Sequence, residues 1–143
     1  MNYWLIKSEP SAWSWEDQVK AGRIHWFGVR NYQAANNMKA MGLGDRCFFY
    51  HSMQGKEIVG IVEVVKLYYP DPSDPKGIFG MVDVATVQPL PKPVTLTQIK
   101  ADPALSHLAL VRHTRLSVQP VDEAAWRHIC QLGDLADSIG KTQ

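Results

Sequence analysis

Apolar residues along the chain fall into two kinds of run. The first kind is short, aromatic or β-branched, and reads as strands. "YWLIK" (Tyr3 to Lys7) is such a run, stopped by "SEP", and "RCFFYH" (Arg46 to His51) is another. "EIVGIVEVVKLYY" (Glu57 to Tyr69) is β-branched nearly throughout, which predicts a long strand buried over much of both faces. "FGMVDVATVQPL" (Phe79 to Leu90) alternates around Val82, Val84 and Thr86, and "RLSVQPV" (Arg115 to Val121) predicts a last strand.

The second kind carries helix punctuation. In "SAWSWEDQVKAG", Ser14 is placed to cap, Asp17 occupies the reciprocal capping-box position and Gly22 ends the helix. "NYQAANNMKAM" has Asn31 as cap, Gly42 as stop, and Ala35, Met38 and Met41 facing inward. "TLTQIKAD" suggests one or two helical turns, and "VDEAAWRHICQL" (Val121 to Leu132) a helix with Ala125, Ile129 and Leu132 on one side. Three prolines in "PDPSDPKG" (Pro70 to Gly77) predict a loop. Long strands with few helical crossovers imply an α+β fold: a mixed sheet curled into a small β-barrel, with helices packed at its ends.

Composition changes this picture little. The 143 residues suit one domain, 1–143, with 134–143 expected to form a frayed tail. Hydrophobic residues make up 45% and charged residues 20%, which excludes a disordered chain. The net charge of +1 matters more, because nucleic-acid binding then requires a local patch or pocket. Cys47 and Cys130 form no disulfide framework or zinc spacing. The N-terminus reaches a charge and a proline too soon for a signal peptide, and no apolar run approaches a membrane span. A cytoplasmic monomer with no membrane contact is expected.

Catalytic templates are missing. The chain has no dinucleotide fingerprint, phosphate-binding glycine loop, zinc-protease helix or nucleophile elbow. The five histidines are scattered, and neither a metal nor a cofactor is expected. Polar and aromatic residues instead gather at element ends. They are Ser8 in "KSEP"; Trp26, Gly28, Val29, Arg30, Asn31, Tyr32 and Gln33 in "WFGVRNYQ"; His51 and Ser52 in "YHS"; and Arg115 and Ser117 in "RHTRLS".

Aromatic faces stack on flat rings, amides and hydroxyls read a ring edge, and arginine holds phosphate, so this mixture suits an unstacked nucleobase. Simpler roles stand beside each assignment. Trp26 suits a core, Asn31 a plain cap, Tyr32 helix packing, and His51 and Ser52 an exposed strand end. Arg30 suits pairing with phosphate or carboxylate. Arg115 and Ser117 flank Leu116 and are expected to share one strand face. Lys7 suits a buried stem or a ligand contact.

The motifs "YWLIKSEP", "WFGVRNYQAANNM", "GDRCFFYHS", "IVGIVEVVKLYYPDP", "MVDV" and "RLSVQP" occur in an order and spacing that resembles the EVE domain family, from Tyr3 to about Leu132. The resemblance implies a PUA-like barrel akin to YTH and ASCH domains. It also implies a non-catalytic pocket for a flipped modified base in nucleic acid, with modified cytosine in DNA the leading ligand. Phe27 departs from the pattern, since relatives commonly carry Asp or a small polar residue there. Two other functions compete: an ASCH-like amidohydrolase acting on acylated nucleosides through Lys7, Ser8 and Glu9, and a protein-interaction module.

Overall fold

In the computed structural model, which describes residues 1–135, β1 (Tyr3–Ser8) lies between two partners of opposite sense. It runs parallel to β3 (Arg46–His51) and antiparallel to β6 (Val118–Val121). The helix α1 (Trp15–Ala21) follows β1, and β2 (Arg23–His25) follows α1. Next come α2 (Tyr32–Lys39), β3, β4 (Glu57–Pro70) and β5 (Gly80–Thr95). The chain closes through α3 (Leu96–Ala101), a 3-10 turn (Pro103–Leu105), α4 (Ala109–Arg112), β6 and α5 (Glu123–Leu132).

Sheet order is β2-β5-β4-β3-β1-β6. The expected curled mixed sheet is present, and it stays open between β2 and β6. Bulges where β4 pairs with β3 and β5 bend it, because an extra residue on one strand increases local twist.

Two cores form because strand side chains alternate between faces. Leu5, Phe48, Tyr50, Ile58 and Ile61 point to one face, where Trp126 and Ile129 of α5 cover them. Trp4, Ile6, Cys47, Phe49, Val62 and Val64 point to the other, under Trp15, Trp26 and Met38. Burying each large apolar side chain contributes roughly 1.5–3 kcal/mol before entropy is counted. Gly60 lets Trp15 lie on the sheet: a Cβ there would meet the indole at 2.3 Å.

The helix starts follow the sequence. Ser14 and Asp17 form the reciprocal capping box of α1, and Asn31 Oδ1 accepts from Ala34 N–H to cap α2. Several boundaries differ from the sequence expectation. β2 was not foreseen, being three residues long with only Ile24 partly covered. β5 runs on past Leu90 through Pro91 and Pro93 to Thr95, and β6 begins only at Val118. The expected both-face burial of β4 holds only in its first half, since Lys66 and Leu67 are exposed. Asp134 and Leu135 donate backbone hydrogen bonds to Gln131 and Cys130, and Leu135 is buried. The rest of the expected tail, 136–143, lies outside the described residues.

Candidate functional site

A cavity of about 480 Å³ opens where three segments meet: the end of β1, the 24–30 segment, and Ser117 before β6. β1 delivers Lys7, Ser8 and Glu9 to it. Pairing of β2 with β5 carries the chain to Trp26, whose N–H donates to the Val82 carbonyl at 2.7 Å. The Trp26 indole meets Phe49 edge-to-face, with centroids 5.7 Å apart and planes at 83°. It is 8% exposed and lines the cavity, so it serves core and wall at once.

Gly28 has φ +83°, the left-handed region that favours glycine, and no heavy atom lies within 4 Å of a Cβ built there. The backbone conformation alone therefore favours glycine at this position. The Gly28 N–H donates to Asp71 Oδ2 at 2.8 Å, which fixes the turn.

Arg30 meets a carboxylate, one of its two expected partners. Its Nη1 donates to Asp71 Oδ2 at 3.2 Å and its Nη2 to Ser73 Oγ at 3.0 Å. Asp71 is 2% exposed. Desolvation opposes its ionisation, but hydrogen bonds from Gly28 N–H, from Ser73 and from Arg30 outweigh it and bring the carboxyl down to about 2. Arg30 is thus a positioning residue for the turn, with its charge already matched.

On the opposite wall, Lys7 Nζ donates to the Thr114 carbonyl at 2.7 Å and lies 5.9 Å from the Tyr50 centroid. Burial lowers its pKa from the ordinary lysine value. Ser8 Oγ donates to the Trp13 carbonyl at 2.5 Å. The Trp13 indole N–H in turn donates to buried Gln18, which fastens this wall to α1.

His25 stands exposed at the rim with Nδ1 3.5 Å from Asp83 Oδ1. Asp83 also accepts from Arg23 and from Tyr69. Burial first, and the Asp83 hydrogen bond next, push the Tyr69 phenol up to about 12. In the cluster named for an amidohydrolase, Ser8 and Lys7 both donate to backbone carbonyls.

Of the residues singled out by sequence, Ser8, Trp26, Gly28, Val29, Arg30 and Ser117 line this cavity. Asn31, Gln33 and Arg115 line a neighbouring one. Tyr32 is exposed and tilts against Phe79, with centroids 5.0 Å apart. His51 and Ser52 lie outside the lining: His51 Nε2 accepts from Trp15 N–H, and Ser52 N–H donates to the Ser8 carbonyl. The cavity also holds Glu9, His25 and Phe27, adjacent to chosen residues inside the same motifs. Trp13 and Ile24 carried no comparable signal.

An open, curled mixed sheet with an indole-walled cavity at one end defines a class of domain. The EVE domain family model matches residues 2–132, and the chain belongs to the EVE domain family. Thymocyte nuclear protein 1 of Mus musculus is 36% identical over an alignment spanning 96% of this chain and 76% of that protein. An NMR structure of a Rhodopseudomonas palustris protein is 51% identical, with a TM-score of 0.89, covering 94% of each chain. The crystal structure of human THYN1 in complex with DNA containing 5-methylcytosine is 32% identical, with a TM-score of 0.86, covering 94% of this chain and 98% of that one. Among the described residues, no helix is long and apolar enough to cross a membrane.

Proposed function

We propose that this chain is a non-catalytic module that binds nucleic acid by accepting a flipped modified base, with modified cytosine in DNA the favoured ligand. The observation that carries this reading is the position of Trp26: fixed by the core on its Phe49 side, and forming the wall of a 480 Å³ cavity. Human THYN1, similar over nearly the whole chain, is a structure bound to DNA containing 5-methylcytosine. The reading treats the chain as a single-domain, cytoplasmic monomer.

Flipping a base costs a few kcal/mol, and stacking on an aromatic returns about 1–3 kcal/mol per base. The balance is close, so small additional contacts decide occupancy. Burying one methyl group adds ~0.8 kcal/mol, about a fourfold preference. Thymine also carries that methyl, so the base edge must separate the two. Glu9 offers an acceptor for the exocyclic amine of cytosine. Lys7 has three ammonium donors, one committed to Thr114, and offers another to the ring carbonyl.

Titration of equal-length oligonucleotides carrying cytosine, 5-methylcytosine, thymine or a modified adenine, at one salt concentration, tests this reading. Tighter binding of a modified base than of its plain counterpart is expected. Equal affinity across the panel overturns it.

A further inference from the structure

A second cavity, of about 650 Å³, lies against the first. The two share a wall made of consecutive residues. Arg30 lines one and Asn31 the other; Ser117 lines one and Leu116 the other. A hydrogen bond crosses the same wall: Lys7 of the first cavity donates to the carbonyl of Thr114, which lines the second.

No carboxylate lines the second cavity, whose polar lining includes Asn31, Gln33, Asn37, His113 and Arg115. Arg115 differs from every other arginine. Arg23, Arg30, Arg46 and Arg127 pair with carboxylates, and Arg112 donates to the Ser106 carbonyl. Exposed Arg115 has no hydrogen bond or ion pair among the described residues. An unmatched guanidinium beside amides, in a cavity free of acids, suits a phosphodiester with its sugar.

Resting on the base-binding reading above, we infer that the second cavity holds the nucleotide next to the flipped base in the same strand, with Arg115 on its phosphate. The polarity of the bound strand follows from this, because the flanking nucleotide is gripped on one side only. Asn31 and Gln33 lie nearest in sequence to the shared wall and meet the sugar or base edge. Arg30 takes no phosphate, since Asp71 holds it.

The test uses single-stranded oligonucleotides of one length, with the modified base at the 5′ end, the centre or the 3′ end. Wild type is compared with Arg115→Gln and with a control, Lys20→Gln, on the exposed side of α1. Wild type should bind the centre and one terminal placement alike, and the other terminal placement about tenfold more weakly. Arg115→Gln should bring all three to the weakest value and flatten the salt slope by about one. Lys20→Gln should preserve the difference between placements.

If binding stays selective for the modified base but independent of placement, and Arg115→Gln behaves as Lys20→Gln, this inference alone is overturned. If modified and plain strands bind equally at every placement, the base-binding reading falls and takes this inference with it. Arg115 is exposed, so matched melting temperatures are expected and confirm that folding is not the variable read.

Discussion

Trp126 and Trp26 belong to the cores on opposite faces of one sheet, and their surroundings differ in a way that separates stability from recognition. Trp126 is fully buried between two rings. Tyr3 stacks on it at 4.5 Å and Phe48 at 3.8 Å, both close to parallel. Trp26 has an edge contact with one ring, and the cavity beside it. A tryptophan sandwiched between protein rings has no stacking face left to offer. One that is held from a single side is rigid and still has surface for a partner. Fixing the indole in advance means that binding does not spend free energy on ordering it.

The largest effect expected from this comparison is at Trp126. Replacement by alanine removes two stacked contacts from a closed core and should destabilise by about 3–5 kcal/mol, read by denaturant unfolding. Protein that remains folded should discriminate between modified and plain bases as wild type does. Trp126 Nε1 is buried without a hydrogen-bond partner among the described residues. Trp126→Phe should therefore cost less than the loss of ring volume suggests, because it also removes an unsatisfied donor.

Trp26→Ala should invert the pattern. With a cavity on one side, less close packing is lost, and about 2–3 kcal/mol is expected, at or below the usual range for tryptophan truncation. Discrimination between modified and plain bases should disappear while the salt slope stays unchanged. If Trp26→Ala unfolds the protein as Trp126→Ala does and leaves the surviving fraction selective, the two tryptophans are equivalent core residues. The stacking wall must then be sought elsewhere, with Trp13 the nearest alternative in the cavity.

The two faces also differ in how much of them could be read from sequence. Elements with a strong local signal were legible: the caps of α1 and α2, the aromatic run of β3 and the inward face of α5. β2 was not, because three residues are too short a run to signal a strand, and they form one through pairing with β5. The continuation of β5 was hidden by prolines, which cannot donate to a ladder and ordinarily end a strand.

The site was legible as a set of motifs but not as a partition between cavities. Arg115 and Ser117 were expected on one strand face. Yet β6 starts after them, so the two-residue period does not apply and they reach different cavities. A carboxylate was one expected partner of Arg30, but nothing in the sequence singled out Asp71, 41 residues away in a proline-rich segment.

That ion pair gives the next prediction. Asp71 has a lowered pKa in the folded chain, so its contribution is present above the ordinary carboxylate value and is lost as pH falls from about 4 towards about 2. A shift of this size in a buried carboxyl corresponds to roughly 2 kcal/mol. Asp71→Asn should lose about that much at neutral pH. Its remaining stability should be flatter across this acid window than that of wild type. Base discrimination should weaken as the 28–30 turn loosens. A wild-type acid profile matching that of Asp71→Asn would show that the hydrogen bonds Asp71 accepts from Gly28, Ser73 and Arg30 contribute nothing to stability.

The smallest effect belongs to Gly28, and it is informative because Gly28 and Gly60 are constrained for opposite reasons. A Cβ at Gly60 would collide with Trp15 inside the core, so alanine there must displace a buried ring. A Cβ at Gly28 meets nothing within 4 Å, and its cost is confined to holding an L-residue at φ +83°. That cost is about 1–2 kcal/mol. Gly28→Ala should therefore fold, with a modest fall in melting temperature and the Asp71 contact retained. Gly28→Asn should recover part of the loss, since asparagine enters the left-handed region more readily. If the cavity needs only the turn and not open space at Gly28, both variants should keep full discrimination between modified and plain bases. A Gly28→Ala protein with near-native stability but no discrimination would instead show that the ligand lies against the Gly28 backbone. The absence of a Cβ would then be a requirement of binding as well as of folding.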